Sequence, residues 1–142
     1  PYTGGGYMHT TDDRTPVTFI TRYYLDKIKR LCDAHGTKLL FVTAPSPVNH
    51  TMQRHNEVQA LADALAVPYL DLNLNTEELG IDWNLDTLDG GDHLNYTGCQ
   101  KATAYLQWYM QTHYTLPDRR DDVRYEAWNK QAEEFEKLLP QP

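Results

Sequence analysis

Between residues 15 and 36 the apolar side chains Val17, Ile20, Tyr24, Ile28 and Leu31 recur at steps of three and four, the spacing that lays one stripe along a helix. Thr15 offers an N-cap hydroxyl, and Pro16 falls at the first helical position, where its missing N–H costs nothing. Gly36 suits the left-handed residue that closes a helix. The pattern then changes. Residues 38–43 read KLLFVT, a short continuous apolar run of the kind a buried parallel strand needs, and it stops at Ala44-Pro45-Ser46-Pro47. A second helix is predicted over 51–66 with Val58, Leu61, Ala62 and Leu65 inward, broken by Val67-Pro68, and a second strand over 69–72. A third helix follows over 97–113, burying Ala102, Leu106, Tyr109 and Met110. After Leu116-Pro117 a fourth, over 121–139, carries Trp128, Phe135 and Leu138 as the few anchors of a charged surface helix.

Helix, strand, helix, strand with tight connections is the rhythm of an α/β sheet whose parallel strands are joined by crossover helices. Three stretches follow: a loop-rich segment over 1–14, an α/β part over 15–117, and a C-terminal helix and tail over 118–142. The glycines of PYTGGGYMHTTDDR make no phosphate cradle, because no strand precedes them and no Gly-Lys-Ser/Thr follows. Two strands are thin for a parallel sheet, which needs both faces covered and usually several strands. That shortage implies either a further strand in the N-terminal loop or a chain that is part of a larger domain.

Charge narrows the partners. Against 20 Asp+Glu stand 13 Lys+Arg, a formal charge of −7, which disfavours the phosphate backbone of a nucleic acid. No apolar run approaches the roughly 18 residues of a membrane span, and the first residues lack the basic-then-apolar pattern of a signal peptide. Cys32 and Cys99 are far apart and read as small buried hydrophobes, so neither a zinc site nor a redox pair is expected.

Six carboxylates, Glu77, Glu78, Asp82, Asp86, Asp89 and Asp92, fall between residues 77 and 92 without a Lys or Arg, and the run leads straight into His93. A loop after a strand and before a helix is where open α/β sheets keep their ligands. A histidine beside carboxylates there can act as a general base, the carboxylate fixing its tautomer and stabilising the imidazolium. The plainer reading is a solvated loop in which Gly90-Gly91 only makes a turn. Calcium is a further reading, because Asp82, Asn84 and Asp86 match the first three ligands of an EF-hand loop, but Thr87 stands where glycine is needed and His93 where the bidentate glutamate belongs. His50 and His55, flanking the start of the second helix, and His9, His35 and His113 read as surface residues. Asn49-His50-Thr51 and Asn95-Tyr96-Thr97 fit the glycosylation sequon, a motif that arises often by chance. The chain has one serine, Ser46.

The runs YYLDKIKRLCDAHGTKLLFVTAPSP, HNEVQALADALAVPYLDLN, GIDWNLDTLDGGDHLNYTG and YTLPDRRDD, spanning about residues 23–128, resemble the C-terminal half of a bacterial SGNH/GDSL hydrolase family. The resemblance implies part of a flavodoxin-like parallel sheet with flanking helices, the N-terminal strands and the nucleophile strand lying outside this chain. It implies a Ser-His-Asp triad whose Asp and His come from one loop before the final helix, with His93 as general base. The family spacing is Asp-x-x-His, yet Gly90 stands three residues before His93, so Asp89 or Asp92 fills the role. Asp89 is preferred: neighbouring side chains in an extended loop diverge, whereas the Gly90-Gly91 pair lets Asp89 fold back.

The Gly-Asp-Ser block and the oxyanion glycine and asparagine of the family are absent, and the Pro-Ser-Pro setting of Ser46 lacks the elbow that exposes a nucleophile. The implied chain is therefore the C-terminal portion of a serine esterase or O-acyltransferase, nearly inactive alone. Its substrate would be an acylated small molecule or carbohydrate, and Asn95 and Ser46 would line the pocket. The chemistry needs no cofactor, and the family implies an extracytoplasmic place at the bacterial cell surface. The alternative is a non-catalytic binding module whose acidic loop 77–92 binds a cation or a basic partner.

Overall fold

The computed structural model describes residues 7–139. Two compact units are seen, a larger one ending at Leu106 and a smaller one starting at Gln107. The larger unit holds helix α1 (Phe19–Ala34), strand β1 (Phe41–Thr43), helix α2 (Met52–Leu65), strand β2 (Tyr69–Asp71), a 3₁₀ turn (Leu72–Leu74) and a one-turn helix α3 (Thr76–Leu79). It also holds the first part of helix α4 (Tyr96–His113). β1 and β2 pair in parallel, Phe41 with Tyr69, Val42 with Leu70 and Thr43 with Asp71, and α2 is the crossover between them. The chain is thus a mixed α/β protein with a small two-stranded parallel sheet.

The expected N-cap of α1 is displaced by three residues. Thr18, not Thr15, caps the helix, its hydroxyl accepting the Thr21 N–H at 3.1 Å. The Thr15 N–H instead donates to the Gln53 carbonyl, and the Val17 N–H to the Glu57 carboxylate, so this stretch lies along α2. Arg22 completes the tie with a 2.6 Å ion pair to the buried Glu57. At the other end the left-handed Gly36 lets the Thr37 N–H return to the Cys32 carbonyl at 2.8 Å. The predicted apolar stripe forms but is not buried: Ile20, Tyr24 and Leu31 are more than half exposed, and α1 has no buried residue.

Both strands are shorter than their apolar runs. Pairing starts at Phe41, whose N–H donates to the Pro68 carbonyl, and ends at Asp71, whose carboxylate captures the Asn73 N–H and turns the chain into the 3₁₀ turn. α2 matches its predicted span, with Thr51 as N-cap and Ala66 left-handed beyond its end. The small core consists of Leu61 and Ala62 of α2, Val67, Leu70 of β2, Leu72, Leu79 of α3 and Ala102 of α4. Each such leucine contributes about 1.5–3 kcal/mol by leaving water. Val58, Leu65, Leu106, Tyr109 and Met110 are only partly covered.

Asn95 starts α4, its side-chain carbonyl accepting the Gly98 N–H at 3.1 Å. The buried line of that helix runs through Gly98 and Ala102. Cys99 lies beside that line and is exposed, and Cys32 is half-buried, so neither is the buried hydrophobe expected. In the smaller unit a 3₁₀ turn (Val123–Tyr125) leads into helix α5 (Glu126–Leu138), whose expected anchors Trp128, Phe135 and Leu138 are all exposed. No described helix is long and apolar enough to cross a membrane.

Candidate functional site

The chain leaves both strands at their carboxyl ends, β1 into loop 44–50 and β2 into the 3₁₀ turn. Between them lies a buried polar knot centred on Asp71, which is 5% exposed. Its Oδ2 is hydrogen-bonded to His50 Nε2 at 2.9 Å and His55 Nδ1 at 2.8 Å, and it accepts the Tyr69 hydroxyl at 3.0 Å. Its Oδ1 accepts the backbone N–H and the side-chain amide of Asn73 at 3.0 and 2.7 Å. Burial alone would raise the carboxyl, but the His50 bond and the two Asn73 bonds outweigh it and hold Asp71 well below the usual carboxylate range. Burial, joined by the neighbouring Asp71 charge, pushes the Tyr69 hydroxyl up. His50 and His55, expected at the surface, are thus drawn inward by one carboxylate at the end of a strand.

Asn73 carries the order of this knot into loop 44–50. Its amide donates to the Ala44 carbonyl at 3.0 Å and its side-chain oxygen accepts the Ser46 N–H at 2.8 Å. Ser46 in turn organises a tight turn: its carbonyl accepts the His50 N–H at 2.9 Å and its hydroxyl accepts the Asn49 N–H at 3.2 Å. The lone serine is therefore engaged in holding its own loop.

The second loop folds as a narrow hairpin. Thr87 and Leu94 form an antiparallel bridge, the Leu88 N–H donates to the His93 carbonyl, and the tip Asp89-Gly90-Gly91-Asp92 uses positive φ angles of 72° and 103° at the two glycines. Asp89 folds back over this tip. Its Oδ1 accepts the His93 and Asp92 N–H groups at 2.7 and 3.1 Å, and its Oδ2 lies 2.7 Å from His93 Nδ1. Asp92 also approaches the ring, with Oδ2 3.4 Å from Nδ1. The expectation that Asp92 diverges from its neighbour assumed an extended backbone, and the tip is bent. The Asp89 bond, then the charges of Asp92 and Asp89, raise His93 above its ordinary value; the ring and backbone N–H of His93 lower Asp89. The His93 side chain is 69% exposed.

Of the other four carboxylates in the acidic run, Asp86, Asp82 and Glu78 are spent on structure. Asp86 is 2% exposed and fully paired, Oδ2 accepting Lys101 Nζ at 2.6 Å and the Asp82 N–H at 2.8 Å, Oδ1 accepting the Thr97 hydroxyl at 2.8 Å. Burial works against its charge, yet these bonds hold its carboxyl low. Asp82 accepts the Asn84 N–H, and Glu78 accepts the Tyr105 hydroxyl. Of the three EF-hand-like positions, Asp82 and Asp86 are thus turned to backbone N–H groups, Lys101 and Thr97. Asn95 uses its amide on the Leu85 carbonyl and its oxygen on Gly98 and Thr97. Among the described residues Asp89, Asp92 and His93 gather one metal-binding atom each within 4.8 Å of one another.

The two loops meet at one bond, in which the Asn49 side-chain amide donates to Asp92 Oδ1. Asp89, Asp92 and His93 are thereby held beside the loop that leaves β1, at the carboxyl end of the sheet. Asn49, Asn73 and the Asp71 knot escaped the sequence reading; an aspartate closing the second strand, with two histidines upstream, was the signal available. No family model, curated protein or solved structure matches this chain.

Proposed function

We propose that this chain supplies the acid–base half of a serine esterase or O-acyltransferase of SGNH type, its nucleophile and oxyanion donors coming from sequence on the N-terminal side. The observation that supports this most is the Asp89–His93 pair: Nδ1 is bonded to a carboxylate at 2.7 Å on an imidazole that is mostly exposed. An imidazole held in this way carries its proton on Nδ1 and presents Nε2 as a base. In the complete enzyme His93 Nε2 takes the proton of the attacking serine and returns it to the leaving alkoxide, while Asp89 holds the tautomer and stabilises the imidazolium. The substrate class is an acyl ester, with an acetylated carbohydrate at the bacterial surface as the leading member.

The test is kinetic. In a longer chain carrying the Gly-Asp-Ser block, His93→Ala lowers the rate on p-nitrophenyl acetate by about 10²–10⁴-fold. An unchanged rate overturns the assignment. The 142-residue chain alone hydrolyses the ester no faster than a free imidazole, and Ser46→Ala does not alter it.

A further inference from the structure

His93 has two carboxylates within reach of one ring nitrogen. Asp89 Oδ2 holds Nδ1 at 2.7 Å, and Asp92 Oδ2 stands 3.4 Å from the same atom. A small rotation of the Asp92 side chain would make it a competitor, and a ring shared between two acceptors has no single orientation for Nε2. What holds Asp92 by its other oxygen is the amide of Asn49, 43 positions away in the sequence. Asn49 is itself immobilised: its N–H donates to the Ser46 hydroxyl, and its carbonyl accepts the Arg54 guanidinium. Ser46 is clamped by Asn73, and the next residue, His50, is tied to the buried Asp71. A series of fixed groups thus runs from the carboxyl end of the sheet to an exposed hairpin tip.

We propose that Asn49 is a positioning residue, which restrains Asp92 so that the His93 ring stays bonded to Asp89 alone and Nε2 keeps one direction. The kinetic consequence rests on the esterase reading above; the positioning itself does not, and it can be measured in this chain.

The measurement is nitrogen-15 and proton NMR of the His93 ring. In the wild type the Nδ1–H signal is single, and its exchange with water is set by the opening of the hairpin tip. In Asn49→Ala, with Asp92 released, it broadens and exchanges faster. Asn49→Asp, which keeps the side-chain length but sets a like charge against Asp92, has the same effect and serves if the alanine variant fails to fold. Adding Asp92→Ala to either variant restores the sharp signal, because the competitor is gone; a bond that merely stapled two loops would not be rescued by its own complete removal. An unaltered signal in Asn49→Ala and Asn49→Asp, or a double variant that stays broad, overturns the proposal. In the longer chain Asn49→Ala lowers kcat by about ten- to a hundredfold with KM unchanged. If the ring signal responds while kcat does not, positioning stands and the esterase reading falls.

Discussion

Gly98 lies directly against the backbone of Asp86: a Cβ at position 98 would sit 2.3 Å from the Asp86 carbonyl oxygen. The first turn of α4 is thereby seated on the hairpin that ends in the Asp89–His93 tip. Because the obstructing atom is backbone, the clash cannot be relieved by a rotamer. Gly98→Ala should destabilise the chain by about 1–3 kcal/mol, read as a lower urea midpoint with an unchanged slope. Wild-type stability in this variant would mean that α4 and the hairpin are not in contact.

Asp71 accepts five hydrogen bonds in a buried setting. Removing one partner of such a set leaves the others unpaired, so Asp71→Ala should cost about 3–5 kcal/mol. The pH dependence has a definite sign. The folded carboxyl lies below its ordinary 3.8, so its contribution is complete above that value and is lost as pH falls toward the folded one. Asp71→Asn should therefore flatten the acid limb of the stability curve below about pH 4, as followed by circular dichroism. An acid limb identical to wild type would contradict the burial and pairing of Asp71.

His93 is raised above 6.5 by Asp89 first and by the Asp92 charge second. A raised histidine adds stability that is full below its unfolded value and lost as pH rises through the folded one. General-base chemistry runs the other way, needing the neutral ring. In the longer chain the rate should rise with pH through a midpoint above 6.5, and Asp89→Asn should move that midpoint down while lowering the plateau. A midpoint unmoved by Asp89→Asn would separate the carboxylate from the ring.

Calcium offers a test of the acidic loop. With Asp86 paired to Lys101, Thr97 and Asp82, and Asp82 turned to Asn84, millimolar calcium should shift the melting temperature by less than about 1 °C. A rise of several degrees would favour a cation-binding module.

The four longer helices were legible from their period and the two strands as short apolar runs, whereas the one-turn α3 lay within what read as a loop; the ends marked by local chemistry, Gly36 and Thr51, were legible too. Thr15 misled because its N–H is claimed by Gln53 of α2, a partner that no local pattern reveals. The stripe of α1 was legible as a stripe, but periodicity carries no information on what covers it. The tip of the site could be read from Gly90-Gly91, since only a fold-back brings Asp89 to His93. The Asp71 knot could not, because pairing His50 and His55 with a residue 21 and 16 positions on requires the chain trace from β1 through α2 to β2.

The bond between Asn49 and Asp92 also bears on the order of folding. β1, α2 and β2 form one contiguous crossover whose strands pair over a shorter separation than the 43 residues between Asn49 and Asp92. Loop-closure entropy places the crossover earlier and the loop junction later. The amides of β1, α2 and β2 should thus be the last to exchange with solvent and those of the hairpin tip among the first, so that the site opens and re-forms many times for each unfolding of the sheet that carries it.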